Sequence, residues 1–208
     1  MMIVISESDF RPGEAAIVNT LFQAGLDLFH IRKYEASEKE IAEFIAQIEP
    51  EYREKLVLNR HHDLGMSLGL KRFHYSEKDR RIWSETNWKG MDPGLVYSTS
   101  VHSLEEFNDL PAHFSYAFLS PVFDSISKPD YKAAKFDFSK RRNKETKLIG
   151  LGGIQGNNAA QAIEMGFDGI ALLGAIWNNS DPMNEWCFCR DAMRRVPTNS
   201  MNGIEKHK

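Results

Sequence analysis

The chain has 208 residues, 42% of them hydrophobic and 26% charged, with a formal net charge of −3. That length suits one domain with a full core, and those fractions exclude a disordered or fibrous chain. The small negative charge supplies no basic field, which excludes nucleic acid as a general partner, and no stretch reaches the roughly 20 apolar residues of a membrane span.

The opening Met1-Met2-Ile3-Val4-Ile5-Ser6 carries no basic segment ahead of a long apolar run, which predicts a cytoplasmic protein with no membrane contact. A first strand is expected over Ile3 to Ser6, then a helix over Glu14 to Ala24 with Ala15, Val18, Leu21 and Phe22 on one face. Leu28 to Arg32 reads as the second strand. The next helix, Ser37 to Ile48, buries Ile41, Phe44, Ile45 and Ile48, and Ser37 with Glu40 forms a capping box at its start. Further strands follow at Leu56 to Asn59, Arg72 to Tyr75, Val96 to Ser100 and Tyr116 to Ser120.

Two segments break the rhythm. Ile82 to Gly94, with Trp83, Trp88 and a Pro-Gly pair, shortens or replaces one helix, and Phe123 to Phe138 is a long polar and aromatic loop of the kind that carries function. The last two strands, Leu148 to Gly150 and Gly169 to Leu172, flank a helix over Asn157 to Met165 that Gly166 closes at C′. A final helix runs from Asp181 to Arg194 with Pro182 in its first turn. Cys187 and Cys189, two apart, are too close for an ordinary disulfide and too few for a structural zinc.

Eight short strands alternating with helices predict an α/β fold, a compact single-domain (β/α)₈ TIM barrel over residues 1–197, followed by a frayed polar tail over 198–208. In such a barrel chemistry gathers at the C-terminal strand ends. Alternation sends His30 and Arg32 inward, and a guanidinium held there calls for a phosphate or carboxylate. His61, His62 and Asp63 stand side by side on a turn and do not converge on one ion. His74 serves equally as a site residue or as a satisfied strand-end histidine. Ser103 is a helix cap, and His102 just before it sits at a helix N-terminus, which favours the neutral imidazole of a proton-transfer residue. Ser125, Ser127 and Lys128 supply donors suited to an anion. The seventh strand ends in Gly152-Gly153 and the eighth in Leu173-Gly174, leaving backbone N–H groups uncovered as a cup for phosphate.

Taken in order, His30-Ile31-Arg32, Leu58-Asn59-Arg60, His74 to Asp79, Ser100-Val101-His102-Ser103, Ser120-Pro121-Val122-Phe123 through Lys128, and Gly150 to Ile154 resemble the family that contains thiamine phosphate synthase and the thiazole tautomerase TenI, over about residues 3–177. The resemblance implies a thiazole phosphate as ligand, bound by Gly152, Gly153, Leu173 and Gly174, and a homodimer or larger assembly. A strand-two His-Ile-Arg and a Ser-Val-His-Ser-Leu-Glu-Glu segment look like TenI. The leading expectation is therefore a cofactor-free tautomerase in which His102 moves the proton, Arg32 holds the substrate carboxylate and His30 lines the site.

The alternative implied by the same resemblance is the synthase, which joins a pyrimidine diphosphate to the thiazole phosphate as pyrophosphate leaves. Arg32, Asn59 and Lys128 then match pyrophosphate-side positions, Ser100, Ser125 and Ser127 match site hydroxyls, and Asp79 matches a Mg²⁺ ligand. Three departures oppose it, the first being His30 where the synthase pattern has glutamine. Tyr34 stands where the synthase pattern has lysine, and Arg60 stands where it has a second magnesium carboxylate, so Arg60 must point away for the metal to bind. A third possibility is a non-catalytic protein that binds the phosphate ligand or regulates.

Overall fold

The computed structural model describes residues 1–82, 91–124 and 133–197. Eight parallel strands close into a barrel in sequence order: β1 (Met2–Ile5), β2 (Leu28–Ile31), β3 (Leu56–Leu58), β4 (Arg72–Tyr75), β5 (Val96–Val101), β6 (Phe114–Leu119), β7 (Lys147–Leu151) and β8 (Gly169–Leu172), with β8 pairing back onto β1. The expected strands are all present, displaced by no more than two residues at either end.

Helices α1 (Glu14–Gln23), α2 (Glu38–Ala46), α3 (His62–Ser67), α4 (Glu77–Ile82), α5 (Leu104–Asn108), α6 (Ala159–Glu164), α7 (Gly174–Trp177) and α8 (Pro182–Arg194) follow the strands. The Ser37–Glu40 capping box forms as expected, and Asp181 caps α8 by accepting from the Asn184 N–H. Ser103 caps α5 by accepting from the Glu106 N–H, but Glu106 returns its bond to the His102 N–H rather than to Ser103. Between β6 and β7 the described residues hold only a 3₁₀ turn, Phe138–Lys140. The tail, 198–208, lies outside the described residues, as do 83–90 with Trp83 and Trp88 and the loop segment 125–132. Cys189 is buried on α8, and burial raises its thiol pKa, which keeps it an inert thiol.

Strand alternation sorts side chains into two cores. Val4, Phe29, Ile31, Leu58, Phe73, Leu148 and Ile170 face outward and pack under the helices, among them Phe44, Phe107 and Trp186. Ile3, Ile5, Leu28, Val57, Tyr116, Phe118, Ile149 and Ala171 face the axis and fill the barrel. Set into this inner core are two fully enclosed histidines. His30 is 0% and His74 3% exposed, their rings 5.3 Å apart and each within 5.2 Å of Phe118. Their nitrogens are satisfied inside the barrel. His30 meets Asn59 Oδ1 at 3.0 Å and Tyr116 Oη at 2.6 Å, while His74 meets Ser98 Oγ at 2.9 Å and Ser100 Oγ at 3.1 Å.

A buried ion pair ties the first two strand-end loops together. Lys33, fully buried just past β2, places Nζ 2.7 Å from Glu14 Oε2, 2.9 Å from Oε1 and 2.7 Å from the Asp9 carbonyl, with the Phe10 ring 4.6 Å away. Burial raises the Glu14 pKa and the Lys33 ammonium opposes that rise. Deleting one partner leaves the other charged or forced neutral in the core.

Lys33→Met is therefore expected to lower unfolding stability by about 3–5 kcal/mol, and Lys33→Met with Glu14→Gln to recover much of that loss, in paired urea titrations. Acid stability carries a second signature. Burial holds the His30 pKa down to about 3 and puts His74 well below the ordinary histidine value. The unfolded chain takes up these protons near pH 6.5, whereas folded His30 refuses its proton until about 3. Stability thus falls as pH drops through that window, by up to about 1.4 kcal/mol per pH unit per histidine. His30→Gln should flatten the fall by about one histidine's worth when unfolding is measured from pH 6.5 to 4.

Candidate functional site

The mouth of the barrel collects the residues that follow the strands. Arg32, half-buried one residue past β2, is anchored by its backbone N–H to Ser6 Oγ at 2.8 Å. Its guanidinium lies 4.9 Å from the Tyr34 ring centroid and reaches Ser8 Oγ at 3.5 Å. Among the described residues no carboxylate pairs with it, so the charge is left for a ligand anion. Asn59 follows β3, 7% exposed, its amide oxygen engaged by His30 from below. Ser100 on β5 completes this wall, held by His74. His30 thus supports the site from beneath instead of lining it, because both its ring nitrogens are used inside the core.

Across the mouth, the ends of β7 and β8 form the second wall. Gly152 and Gly153 have φ of 98° and 67°, a backbone that side chains other than glycine rarely adopt. A Cβ on Gly153 would come within 2.5 Å of the Asp124 carbonyl oxygen, and one on Gly152 within 3.0 Å of Pro121. The chain after β6 is pressed against this turn, with Phe123 N–H donating to the Gly152 carbonyl at 3.0 Å. Leu173 and Gly174 lead from β8 into α7, whose first N–H groups have no acceptor within the helix. The two ends offer backbone donors to an anion.

Ser125, Ser127 and Lys128 lie outside the described residues. The flanks of that loop are fixed: Ala133 N–H donates to Asp124 Oδ1 at 2.7 Å and Ala134 N–H to the Pro121 carbonyl at 3.0 Å. The long loop therefore starts and returns beside the Gly152-Gly153 turn.

Asp79 and Arg60 stand differently from expectation. Asp79 is the third residue of α4 and its Oδ2 accepts from Ser76 Oγ at 2.6 Å, so it first serves as a helix-capping carboxylate and leaves Oδ1 unbonded among the described residues. Arg60 donates to the Tyr34 carbonyl at 2.6 Å, which commits its charge to the loop after β2. His61 and His62 diverge. The first bonds the Ala36 carbonyl, and the second packs between Phe73 and Tyr75. Among the described residues no three His, Cys, Asp or Glu side chains converge on one point. A magnesium ion bound by one or two carboxylates together with substrate phosphates is compatible with this donor set, since Asp79 has a free oxygen and Arg60 is turned aside.

His102 sits past the end of β5 with its side chain 48% exposed. Its Nδ1 lies 3.1 Å from the Ser120 carbonyl and its Nε2 3.2 Å from Glu77 Oε2, and Glu77 and Glu106 both pair with Arg81. The helix N-terminus is thus not its main electrostatic neighbour; a carboxylate faces the ring. Both nitrogens already have acceptors, which ties the imidazole to the rim. Sequence patterns placed Glu77 and Ser98 at strand ends without giving them a role, and missed Tyr116 as a supporting group. Tyr116 carried the one usable signal, because a tyrosine two residues before Phe118 on the inward register must find a buried partner for its hydroxyl.

Comparison with known proteins bears on this arrangement. The family model described as thiamine monophosphate synthase, TMP-TENI, matches residues 1–176. A thiamine-phosphate synthase of Streptococcus suis is 22% identical over 203 residues, covering 92% of this chain and 87% of the relative. One of Desulfitobacterium hafniense is 27% identical over 175 residues, covering 79% and 82%. Among solved structures, a thiamine phosphate pyrophosphorylase from Pyrococcus furiosus superposes with TM-score 0.71 at 20% identity, covering 94% of this chain and 96% of that one. Another from Bacteroides thetaiotaomicron gives 0.66 at 23%, covering 99% of each. A barrel whose strand ends carry this ordered set, matched by the model over 176 residues, places the chain in the thiamine monophosphate synthase (TMP-TENI) family of thiamine biosynthesis.

Proposed function

We propose that the chain is a thiamine phosphate synthase, joining hydroxymethylpyrimidine diphosphate to a thiazole phosphate with release of pyrophosphate. The observation that carries this is the bond from Arg60 to the Tyr34 carbonyl, 2.6 Å long. It turns the Arg60 guanidinium toward the loop after β2, which meets the condition for magnesium to bind with Asp79 as its carboxylate. The names of the relatives point the same way.

In this role Arg32, which pairs with no carboxylate among the described residues, grips the diphosphate, and Asn59 and Lys128 add donors to it. Ser100, Ser125 and Ser127 supply hydroxyls to the substrates, and the Gly152-Gly153 and Leu173-Gly174 backbones hold the thiazole phosphate. Magnesium, held by Asp79 and the diphosphate, would supply charge neutralisation for the departing pyrophosphate. The protein's own share is to place the two substrates on opposite walls of one mouth, which removes most of the entropic cost of their meeting.

The metal-free tautomerase is the second reading, favoured by Tyr34 and Arg60 at positions where the synthase pattern has a lysine and a carboxylate. It asks His102 to act as acid and base, and the ring would first have to leave Glu77 or the Ser120 carbonyl.

Purified protein given both substrates is expected to form thiamine phosphate with magnesium and none in EDTA, and Asp79→Ala to abolish the magnesium response. Aromatisation of the thiazole carboxylate in EDTA, without condensation, would replace the synthase by the tautomerase. Arg32→Ala should lower kcat/KM for the diphosphate by about 10- to 100-fold. Gly153→Ala, which sets a methyl against the Asp124 carbonyl, should raise KM for the thiazole phosphate selectively, measured in the same assay.

A further inference from the structure

The turn after β7 commits two successive carbonyls to definite partners. Phe123 N–H donates to the Gly152 carbonyl at 3.0 Å, and Asn158 Nδ2 donates to the Gly153 carbonyl at 2.9 Å. The Asn158 amide has only one orientation open to it. Its oxygen accepts at 2.9 Å from the Gln155 N–H, a group that can only donate, while its nitrogen faces a carbonyl, which can only accept. A flipped amide would oppose donor to donor at Gln155 and acceptor to acceptor at Gly153, losing both bonds.

A trans peptide sets its N–H opposite its C=O, and both peptides of this turn are trans. Fixing the Gly152 carbonyl therefore directs the Gly153 N–H away from Phe123. Fixing the Gly153 carbonyl directs the Ile154 N–H away from Asn158. Neither N–H has an acceptor among the described residues, and both stand on the strand-end turn, ahead of α6. Two successive free N–H groups form a concavity suited to an anion. Their aim has separate origins: main chain after β6 sets the first, and one side chain sets the second.

A further tether holds the same loop without touching these two peptides. Glu185 on α8 accepts from the Gly156 N–H at 2.7 Å, and the Phe188 ring leaves no room for a Cβ on Gly156. The loop thus has two anchors, of which only Asn158 bears on the direction of a free donor.

We infer that Asn158 is a positioning residue: by holding the Gly153 carbonyl it aims the Ile154 N–H at the phosphate of the thiazole substrate, beside the Gly153 N–H. This rests on the reading of the Gly152-Gly153 turn as the thiazole phosphate wall. Asn158 acts through the backbone, since both ends of its amide are spent on the loop.

The first test does not depend on turnover. Inorganic phosphate is titrated into ¹⁵N-labelled full-length protein while the Gly153 and Ile154 amide resonances are followed. Both should move downfield in the wild type with one Kd. In Asn158→Ala the Gly153 amide should still move, the Ile154 amide should lose most of its shift, and phosphate should bind about 5- to 20-fold more weakly. Glu185→Ala loosens the loop at Gly156 instead, and should keep both shifts and an affinity within about twofold, which separates aim from general loop order. Wild-type amides that do not move, an Ile154 shift that survives in Asn158→Ala, or equal losses in the two variants would overturn the inference. In the synthase assay Asn158→Ala should raise KM for the thiazole phosphate about 5- to 20-fold, with KM for the pyrimidine diphosphate within about twofold. Turnover with an unchanged thiazole phosphate KM in that variant overturns the inference and keeps the synthase. The expected amide shifts in a protein with no synthase turnover uphold the inference and refute the synthase alone.

Discussion

Closure of eight parallel strands into one barrel governs everything else in this molecule. Because β8 pairs back onto β1, no strand edge remains, and every second side chain of every strand is committed to the axis. The axis is narrow, so what stands on those positions must pack against seven other strands. Most of them are aliphatic or aromatic. The exceptions, His30, His74, Ser98 and Tyr116, are tolerated because they satisfy one another.

That polar inner core sits directly beneath the mouth. Asn59 and Ser100 stand at the strand ends just above it and are held by the histidines below, while Arg32 beside them is held by Ser6, Ser8 and the Tyr34 ring. The opposite wall needs no such foundation. Gly152, Gly153 and Gly174 contribute backbone, whose direction is set by chain geometry and by the tight approach of Pro121 and Asp124. One mouth thus combines a wall built from side chains on a rigid polar core with a wall built from main chain. The Lys33–Glu14 pair locks the β1 and β2 loops at the edge of the first wall, close to where Arg32 leaves its strand.

The electrostatics are economical. Among the described residues Arg32 has no carboxylate partner at the mouth, whereas Lys33 pairs with Glu14 and Arg81 with Glu77 and Glu106, and Arg60 keeps its charge but is turned to a carbonyl. A positive charge without a partner in a half-buried position is poised for an anion. His102, in contrast, is bound into the acidic and basic cluster on the rim, which separates its environment from that of the inner histidines.

Periodicity in the sequence determined the eight strands, the α1 and α2 faces, the Ser37 box and the glycine turn, because each depends on residues within a few positions of one another. The ordered strand-end residues likewise determined the family, since a barrel brings all such ends to one rim whatever lies between. The tertiary structure alone decided the rest. That Arg60 turns to Tyr34, that Lys33 is buried against a glutamate 19 positions earlier, and that Tyr116 reaches a histidine 86 positions away follow from which loops and strands become neighbours on closure. A polar side chain chooses its partner by distance and desolvation in three dimensions, and neither quantity is written in the spacing of residues along the chain.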